Sequence, residues 1–585
     1  MVMQLAQITD HDLTFTPVNK GFINEGILNC LSCDSMMTVH PQCFPIPVPK
    51  DDPYFPYKNS TTGQPYCIPA TRSMPGQRTL GPREQMNQLT AYLDMSFVYG
   101  SDVCEAKSLR SFYGGRLNVT KHPFKGKPLL PEIFAHPECR SEDKICFQAG
   151  DARASEQPSL GSLHTVLLRE HNSIATEMSK LNPHWGDETI YLETRRILGA
   201  MYQHIIFNEF LPRIFGWKGI KNHGLTLQPD GYYEGYDASC DGTIFNEFSA
   251  AAFRFGHSLL RPIFQRVDAS YKPLNPPVQL REHFFKPAIL YKPFIIDEII
   301  LGLVDTPMET LDNFITEEVT NHLFEKKQIP HSGMDLISLN IQRARDHGIP
   351  GYNFYREKCN LKKAQNFSDL LEEISPETLK MIIKVYDHVD DIDLFPGGMS
   401  ERPLPGGVLG PTFACIVGHQ FRRIRSCDRF WYENDNPLTR FTAAQLKEIR
   451  KATLSRIICN NLDNVKIIQR MTLDLPDHFM NPRVKCSSIP KVDLDPWKER
   501  AACSVRNVVI NVGSTSHVSP CMTCTCTKEG PICQSVKVTN CFQLARLFTS
   551  EAVLEDTICK VQCSFVFRAL QEFSESTSGN QLGFT

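Results

Sequence analysis

Four polar side chains stand close together near the beginning of the chain, in the stretch QLAQITDHDLTF (residues 4–15). On a helix, Gln7, Asp10 and His11 project from one face because residues three and four apart are neighbours, whereas Asp12 is turned roughly 100° away. A histidine grouped with a carboxamide and a carboxylate could exchange a proton with a small molecule. The alternative is a solvated polar turn at a helix end, and this stretch alone does not distinguish the two.

Alternating polar residues mark a second stretch, REQMNQLTAYLDMSFVYGS (residues 83–101). Side-chain oxygens of Thr90, Asp94 and Ser96, together with the backbone carbonyl of Tyr92, form the oxygen set that a hard cation such as calcium prefers. The alternative is a strand with one polar face. A calcium site would need one more carboxylate, and Asp12 is available to supply it.

Three further segments carry residues with catalytic or ligand chemistry. These are Arg153 and Glu156 in FQAGDARASEQPSL, Arg254 and His257 in AAFRFGHSLLRP, and Asn461 at the end of LSRIICNN. Each also has a structural explanation: a surface ion pair, a satisfied core histidine and a helix cap, respectively. A functional site requires the fold to bring these segments together.

The elements that must position these residues are mainly helices. Apolar residues at helical spacing predict helices over residues 162–182, 193–211, 252–260 and 444–461, while strand-like alternation is scarce. Residues 40–75 are dense in proline and turn formers, which predicts an irregular loop. We therefore expect a mainly α catalytic domain over residues 1–500 and a cysteine-rich C-terminal tail with short strands over residues 501–585.

Composition excludes several classes of protein. With 41% hydrophobic and 22% charged residues, the 585-residue chain can bury a large core and is not disordered. A net charge of −3 without runs of Lys or Arg argues against a nucleic-acid partner. No apolar run reaches the roughly 18 residues of a membrane helix. The first residues lack the features of a signal peptide, and because the cysteines described next imply export, we expect the true N-terminus to be missing.

The cysteines indicate an oxidising compartment. There are 21, many in clusters, which is typical of disulfides in a secreted protein. Sequons at Asn59, Asn118 and Asn366 are consistent with an extracellular glycoprotein. The CMTCTC stretch (521–526) has spacing that could also bind zinc, but the cysteines after it lack a second tight Cys-x-x-Cys pair. A small module stapled by disulfides is the better explanation, and the odd total leaves one thiol unpaired.

Nine blocks, taken in order, resemble the animal haem peroxidase family. They are QITDHDLTF, CFPIPVPKDDP, REQMNQLTAYLDMSFVYGS, AGDARASE, LHTVLLREHN, AFRFGHSLLRP, LNIQRARDHGIPGYN, DRFWYEN and SRIICNN, which together span residues 1 to about 500. In style, TVHPQCFPIPVPKDDPYF is similar to the invertebrate chorion peroxidases and peroxinectins. The resemblance implies a fold that holds haem b between helices. It also implies an extracellular enzyme that reduces hydrogen peroxide and oxidises halides, pseudohalides or phenolic (tyrosyl) donors.

The resemblance implies a role for each residue of the haem site. His257 would be the ligand of the haem iron, with Asn461 bonded to its other ring nitrogen and Arg254 nearby. On the opposite face His11 would act as general base and then general acid, and Arg153 would stabilise the peroxide anion. Gln7 would orient water or a halide. Asp10 and Glu156 would be the carboxylates that form ester bonds to the haem.

The same resemblance implies a calcium ion and a disulfide pattern. Calcium would be bound by Asp12, Thr90, Tyr92, Asp94 and Ser96, so that the ion clamps the helix carrying the distal histidine. The implied disulfides are Cys30–Cys43, Cys33–Cys67, Cys139–Cys146, Cys359–Cys415 and Cys459–Cys486. A Cys104–Cys240 pair would then leave Cys427 as the odd thiol.

Two departures from the family pattern affect the expected chemistry. Gln157 stands where the leukocyte enzyme has a methionine that forms a sulfonium link to the haem. Without that link, chloride oxidation is in doubt, and bromide, iodide, thiocyanate or phenols are favoured. Family members also carry a longer segment before the DHD block than the nine residues ahead of Asp10 here, so we expect an incompletely walled haem pocket.

Two other functions compete with a peroxidase. One is an extracellular matrix or adhesion protein that uses the fold as a scaffold, and the other is a cyclooxygenase-like oxygenase. Retention of His11, Arg153, His257 and Asn461 argues against a purely structural role, and the sequence contains no Arg-Gly-Asp. The paired carboxylates Asp10 and Glu156 argue against the oxygenase. The sequence does not identify the physiological reductant, the oligomeric state or the partner of the tail.

Overall fold

The computed structural model describes residues 1–21, 28–35, 37, 39–60, 62–77, 79–134, 136–499, 502–527 and 530–578. The chain divides into two compact units, Met1–Pro496 and Trp497–Thr585. The boundary predicted between residues 500 and 501 lies outside the described residues, and the roles predicted for the two units stay predictions.

Helices are the predominant regular secondary structure of the first unit. They are α1 (Val2–Leu13), α2 (Ser96–Tyr99), α3 (Val103–Leu109), α4 (Pro158–Leu181), α5 (Asp187–Ile205), α6 (Leu211–Asn222), α7 (Asn246–Ala250), α8 (Ile295–Asp305), α9 (Glu317–Thr320), α10 (Leu336–Asp346), α11 (Tyr352–Lys358), α12 (Pro376–Ile383), α13 (Leu394–Met399), α14 (Pro411–Cys427), α15 (Ala443–Ile449) and α16 (Leu454–Asn461). A π-helical turn, Ile206–Phe210, joins α5 to α6. The mainly α fold predicted from the sequence is confirmed.

Short strands and 3-10 helices connect these elements. The strands form antiparallel pairs: β1 (Ile46–Pro47) with β2 (Cys67–Ile68), β3 (Glu132–Phe134) with β4 (Ile145–Phe147), β5 (Ile263–Val267) with β6 (Pro273–Gln279), and β7 (Ile467–Gln469) with β8 (Arg483–Lys485). The 3-10 helices are Ala152–Ser155, Ala252–Leu259, Leu280–Glu282, Pro287–Tyr291, Phe367–Leu370, Val389–Asp391, Cys486–Ser488 and Asp495–Trp497.

Helix α4 lies at the centre of the first unit. It begins where Pro158 occupies the first helical position and the Gln157 side chain accepts a hydrogen bond from the Ser159 amide, which satisfies an otherwise free N–H. Its apolar face packs against α1, α5, α8 and α16. This packing holds α1 in the interior, where even its polar residues Gln4, Thr9 and Asp12 are buried.

The predicted helices are present with two differences. Residues 162–182 and 193–211 fall in α4 and in α5 with its π-helical turn, and residues 252–260 form a 3-10 helix rather than an α-helix. Residues 444–461 are split into α15 and α16, because the Thr453 side chain accepts a hydrogen bond from the Arg456 amide and begins a new helix. Residues 40–75 form the expected irregular loop, interrupted only by β1 and β2 among its described residues.

Six disulfides staple the first unit. The five pairs implied by the family resemblance are all present: Cys30–Cys43, Cys33–Cys67, Cys139–Cys146, Cys359–Cys415 and Cys459–Cys486. The expected Cys104–Cys240 pair is wrong, because Cys240 is bonded to Cys427 and Cys104 is an exposed free thiol. The Cys240–Cys427 bond joins residues 187 positions apart, a pairing that no local pattern indicates.

The second unit is a small disulfide-rich module. It contains β9 (Ala502–Val505), β10 (Val508–Asn511), β11 (Thr515–Ser519), β12 (Met522–Thr527) and β13 (Gly530–Ser535), followed by α17 (Cys541–Phe548), α18 (Ser550–Glu555) and α19 (Thr557–Ser578). Its disulfides are Cys503–Cys526, Cys521–Cys559, Cys524–Cys533 and Cys541–Cys563, so the zinc alternative is wrong. The three helices were not predicted from the sequence. In the part of the chain that the structure describes, no helix is both long and apolar enough to cross a membrane.

Candidate active site

A cavity of about 410 Å³ lies against α1 and the 3-10 helix Ala252–Leu259. Seven of the predicted site residues line it: Gln7, Asp10, His11, Arg153, Glu156, Arg254 and His257. The five predicted calcium ligands and Asn461 do not. The fold therefore gathers three separate segments around one cavity and places two other sets of residues elsewhere.

The cavity has an apolar and a cationic lining beyond the predicted residues. Its apolar walls include Phe253, Phe284, Phe285, Phe324, Leu260, Leu280 and Leu323, and Arg343 adds a third arginine to Arg153 and Arg254. Arg343 was missed from the sequence. It belongs to the block LNIQRARDHGIPGYN, in which Asn340 and Arg343 lie three apart and so share a face of α10.

His11 is a buried, neutral histidine. Its ring is almost inaccessible, with the residue 3% exposed, and Nδ1 lies 3.6 Å from Asp151 Oδ1 without a hydrogen-bond partner among the described residues. Burial, and then the positive charge of Arg153, lower the pKa of His11 well below its ordinary value. A neutral imidazole at this position can accept a proton from a bound molecule.

Arg153 is held rigidly by a neighbouring carboxylate. Its Nε and Nη2 donate to the two oxygens of Asp151 at 2.9 and 2.7 Å, and Nη2 also donates to the Thr14 carbonyl at 2.9 Å. Burial opposes the charge of Arg153, but Asp151 outweighs burial and raises its pKa, and in return the pKa of Asp151 lies well below the ordinary value. Sequence reasoning missed Asp151, although it stands two positions before Arg153 in the quoted block AGDARASE.

His257 is positioned by Asn340, which corrects the assignment of Asn461. Asn340 Nδ2 lies 2.7 Å from His257 Nδ1, and Asn340 Oδ1 accepts from Arg254 Nη1 at 3.0 Å. This contact occupies Nδ1 and leaves Nε2 as the ring nitrogen available to a ligand. Burial and Arg254 lower the pKa of His257 to about 3, so the ring is neutral.

Asn461 has a structural role instead. Its amide donates to Glu170 Oε2 and, at 2.8 Å, to the Ile457 carbonyl, while its own carbonyl accepts from Arg169 Nη1 at 2.9 Å. Glu170 and Arg169 belong to α4, so Asn461 fastens the end of α16 to the central helix. The reading of this residue as a helix-end contact, considered from the sequence, is the one that the geometry supports.

Two carboxylates face the cavity, each with its own hydrogen bonds. Asp10 Oδ1 accepts from Thr14 Oγ1 at 2.6 Å, and Glu156 Oε2 accepts from Gln7 Nε2 at 2.7 Å. Burial raises the pKa of Asp10, and it raises that of Glu156 to about 7. Gln157 Nε2 donates to Gln7 Oε1 at 2.9 Å, so Gln7 is fixed from both sides.

The five predicted calcium ligands meet at the C-terminal end of α1. Ser96 Oγ donates to Asp12 Oδ1 at 3.1 Å, and Thr90 Oγ1 donates to Asp94 Oδ1 at 2.9 Å. The Tyr92 carbonyl accepts from the Asp94 amide at 2.9 Å. Residues 91–94 form a bend and Ser96 begins α2, so the alternative of a polar strand face is wrong.

The electrostatics of this group are those of an acidic site. Burial and the nearby Asp94 raise the pKa of Asp12 well above its ordinary value, and Arg195 Nη2 approaches Asp94 Oδ2 at 3.6 Å. Among the described residues, no cluster of three or more His, Cys, Asp and Glu side chains could hold a metal ion. The set predicted here has two carboxylates and otherwise hydroxyl and carbonyl oxygens, which are ligands that calcium accepts.

Comparisons with known proteins agree with one another. The model of the family described as Animal haem peroxidase matches residues 1–473. The chain is 40% identical over 522 residues to the peroxidasin homolog of Mus musculus. The alignment covers 85% of this chain and 34% of that protein. It is 37% identical over 502 residues to peroxidase mlt-7 of Caenorhabditis elegans, and this alignment covers 85% of this chain and 64% of that protein. The chain thus spans about a third of the length of the peroxidasin relative.

Solved structures share the fold. Peroxidase A from Dictyostelium discoideum matches with a TM-score of 0.66 at 28% identity, over 80% of this chain and 86% of that one. The fatty acid alpha-dioxygenase of Oryza sativa matches with a TM-score of 0.58 over 78% of this chain and 73% of that one. At 17% identity, the second match shows a common fold and nothing about the reaction.

Proposed function

Because the chain belongs to the animal haem peroxidase family, we propose that it is an extracellular haem peroxidase. It reduces hydrogen peroxide and oxidises halide, pseudohalide or phenolic (tyrosyl) donors. The observation that carries this proposal is that one cavity is lined by His257, in contact with Asn340, and by His11 and Arg153, which both lie next to Asp151. The disulfides support an extracellular location, since such bonds persist in oxidising compartments.

The residues of the cavity fit a haem. The neutral His257 has Nε2 available for iron, and the two cationic side chains Arg254 and Arg343 suit the carboxylates of the group within an otherwise apolar lining. A metal-bound His257 must carry its proton on Nδ1, and rotation of the Asn340 amide by half a turn places its oxygen there as the acceptor. The bond from Arg254 Nη1 to Asn340 Oδ1 therefore belongs to the haem-free orientation of the amide. When bound, the haem iron supplies the open coordination position for peroxide and the electrons that reduce it.

The protein's own residues handle protons and charge. Nδ1 of His11 lies toward Asp151, so the other ring nitrogen serves the substrate. In the neutral state it takes a proton from one peroxide oxygen and returns it to the departing one. Arg153, whose fork is fixed by Asp151, stabilises the negative charge that develops between these steps.

Two carboxylates are proposed to tether the haem. Asp10 and Glu156 both face the cavity, and we assign to them the two ester links. Gln157 cannot form a sulfonium link and instead bonds to Gln7. We therefore assign bromide, iodide, thiocyanate and phenols, rather than chloride, as the donors.

Calcium completes the proposal. Asp12, Thr90, Tyr92, Asp94 and Ser96 are assigned as its ligands. Asp12 follows His11 directly on α1, so an ion at this place holds the backbone that aims the catalytic imidazole. The carboxylates of the buried Asp12 and the partly exposed Asp94 repel each other, and this supports a cation here, because a bound ion relieves their mutual repulsion.

Absorption spectroscopy of the purified protein tests the proposal. We expect a haem Soret band that changes on addition of hydrogen peroxide and returns when a phenol or iodide is added. The competing function, an extracellular matrix or adhesion protein built on the peroxidase fold, predicts either no haem or a Soret band that peroxide leaves unchanged. His11→Ala and His257→Ala test the residues assigned to the two sides of the haem. The first variant should retain haem and react more slowly with peroxide, whereas the second should lose haem.

A further inference from the structure

A chain of buried aromatic rings leads away from the cavity. Phe253, which lines the cavity, lies 5.7 Å from Phe421 between ring centroids, and Phe421 lies 6.1 Å from Phe207. Phe207 lies 4.6 Å from Trp431, and Trp431 lies 5.1 Å from Tyr432. All five side chains are buried. The rings therefore form a continuous path from the cavity wall to an indole and a phenol.

The two residues at the far end are the ones that can be oxidised. Phenylalanine does not give up an electron under mild conditions, whereas tryptophan and tyrosine do. Each has an acceptor for the proton that leaves with the electron. The Tyr432 hydroxyl lies 2.8 Å from His204 Nδ1, and Trp431 Nε1 donates to Glu433 Oε2 at 3.2 Å.

His204 is in the state that this chemistry requires. Burial lowers its pKa to about 4, so the ring is neutral at physiological pH, and we assign its hydrogen bond with the Arg450 backbone to the other ring nitrogen. Nδ1 is thus the acceptor, and the Tyr432 hydroxyl donates to it. Burial also raises the pKa of Tyr432 well above its ordinary value, so the phenol loses its proton only when it loses an electron.

Other buried tyrosines lack one of these two properties. Tyr99 has the same kind of partner, His171 Nδ1 at 2.9 Å. Among the described residues, however, its ring contacts are with His171 and Tyr191, and neither of these contacts an aromatic residue that lines the cavity. Tyr202 is bonded to Thr9 of α1, whose hydroxyl is a far weaker base than imidazole. Tyr432 is distinguished from these two because it combines the ring path with the imidazole.

We propose that Tyr432, with Trp431 as the intermediate, is an internal one-electron donor to the haem site. The proposal rests on the proposed function, which supplies the oxidant: the oxidising equivalent left at the haem after peroxide is reduced. One electron passes from Tyr432 through Trp431 and the phenylalanine rings to that site, and the phenolic proton passes to His204 Nδ1. The products are a neutral tyrosyl radical and an imidazolium.

Reduction of the tyrosyl radical by an external donor completes the cycle. Reduction of one hydrogen peroxide to two water molecules takes two electrons and two protons. When no external donor is bound, Tyr432 supplies one of these electrons from inside the protein. A later one-electron donor, such as a phenol, reduces the tyrosyl radical, and His204 returns the proton. Tyr432 and His204 thereby remove oxidising equivalents that would otherwise damage the residues of the cavity.

Electron paramagnetic resonance of the haem-loaded full chain tests the proposal. Protein labelled with ring-deuterated tyrosine is mixed with one equivalent of hydrogen peroxide, without donor, and frozen within milliseconds. We expect a radical whose hyperfine splitting changes with the label. Tyr432→Phe, which removes one hydroxyl, should abolish that signal, whereas the matched variants Tyr99→Phe and Tyr202→Phe should retain it.

A second variant and a second measurement ensure that the test does not depend on Tyr432→Phe alone. Trp431→Phe preserves an aromatic ring in the path but removes the oxidisable indole, and it should slow formation of the tyrosyl signal. Peptide mass spectrometry after excess peroxide should find oxidation at Trp431 and Tyr432 in the wild type.

The outcomes separate the two proposals. If peroxide leaves the Soret band of the wild type unchanged, the proposed function fails. If the Soret band responds normally but Tyr432→Phe, folded and haem-loaded, keeps the wild-type radical, the internal donor is refuted. Loss of the signal in Tyr99→Phe or Tyr202→Phe, with Tyr432→Phe unaffected, would place the donor elsewhere and would refute it equally.

Discussion

Replacement of Asn340 by alanine tests which asparagine positions the iron ligand. The substitution removes an amide that contacts His257 Nδ1 at 2.7 Å and accepts from Arg254 Nη1 at 3.0 Å. Asn340 is 1% exposed, so water does not replace these contacts easily. Loss of such a partner of a metal-ligating histidine costs typically about 10- to 100-fold in affinity or activity.

The structure also predicts an effect on stability. The hydrogen bond from the charged Arg254 guanidinium to Asn340 contributes about 1.5–3 kcal/mol to stability. Its loss leaves Arg254 without this acceptor. We expect the apo-protein to lose stability on that scale, and the haem complex to lose a further contribution equal to the weaker haem binding. Asn340→Asp keeps an acceptor for both neighbours and should restore most of the affinity.

The assay is a haem titration followed at the Soret band, combined with thermal melting of the apo-protein. Asn461→Ala is the matched control, because it removes a buried asparagine whose amide bonds Glu170 and the Ile457 carbonyl. It should lower the melting temperature and leave the haem affinity unchanged. The reasoning would be refuted if Asn461→Ala weakened haem binding while Asn340→Ala bound haem as tightly as the wild type.

Four further predictions concern the rest of the site and the surface. Arg153→Ala should retain haem and slow the reaction with peroxide by about 10²- to 10³-fold in stopped-flow measurements, and a wild-type rate would contradict its role. Burial raises the pKa of Glu156 from 4.5 to about 7, so the folded apo-protein holds that proton more tightly than the unfolded chain does. Its free energy of unfolding should therefore fall by about 3 kcal/mol as pH rises through this window, a slope that Glu156→Gln should remove in pH-dependent urea melts. Asp94→Ala should lose bound calcium by metal analysis, melt earlier and react with peroxide about 10²-fold more slowly while His257 still binds haem, whereas an unchanged variant would contradict the calcium site. Glycopeptide mapping should find a glycan at the exposed Asn366 and none at Asn118, whose amide donates to two backbone carbonyls.

The sequence was informative wherever chemistry and spacing are local. Gln7, Asp10 and His11 share one face because they lie on one helix, and that face does line the cavity. The four helical segments could be predicted because apolar periodicity is visible in short stretches, although one is a 3-10 helix and one is split in two. Five disulfides were predicted correctly from the family resemblance.

Pairing between distant segments was decided by the tertiary structure. Asn340 and Asn461 are both buried asparagines on helices, and nothing within either stretch shows which one meets His257. The packing of α10 against the cavity selects Asn340, and the packing of α16 on α4 assigns Asn461 to Glu170. The partner of Cys240 was missed for the same reason, since Cys427 approaches it across 187 positions.

Residue identity thus determined which reactions are available, and the fold determined which side chains take part. Imidazole, guanidinium and carboxylate groups carry their chemistry wherever they lie, so a sequence reveals a peroxidase-like set. A hydrogen bond or a ring contact depends on a few ångströms between atoms, and those distances follow from packing summed over the whole core. The contact between Asn340 and His257 and the ring path to Tyr432 are therefore properties of the tertiary structure, whereas the clamp of Asp151 on Arg153 joins residues only two positions apart.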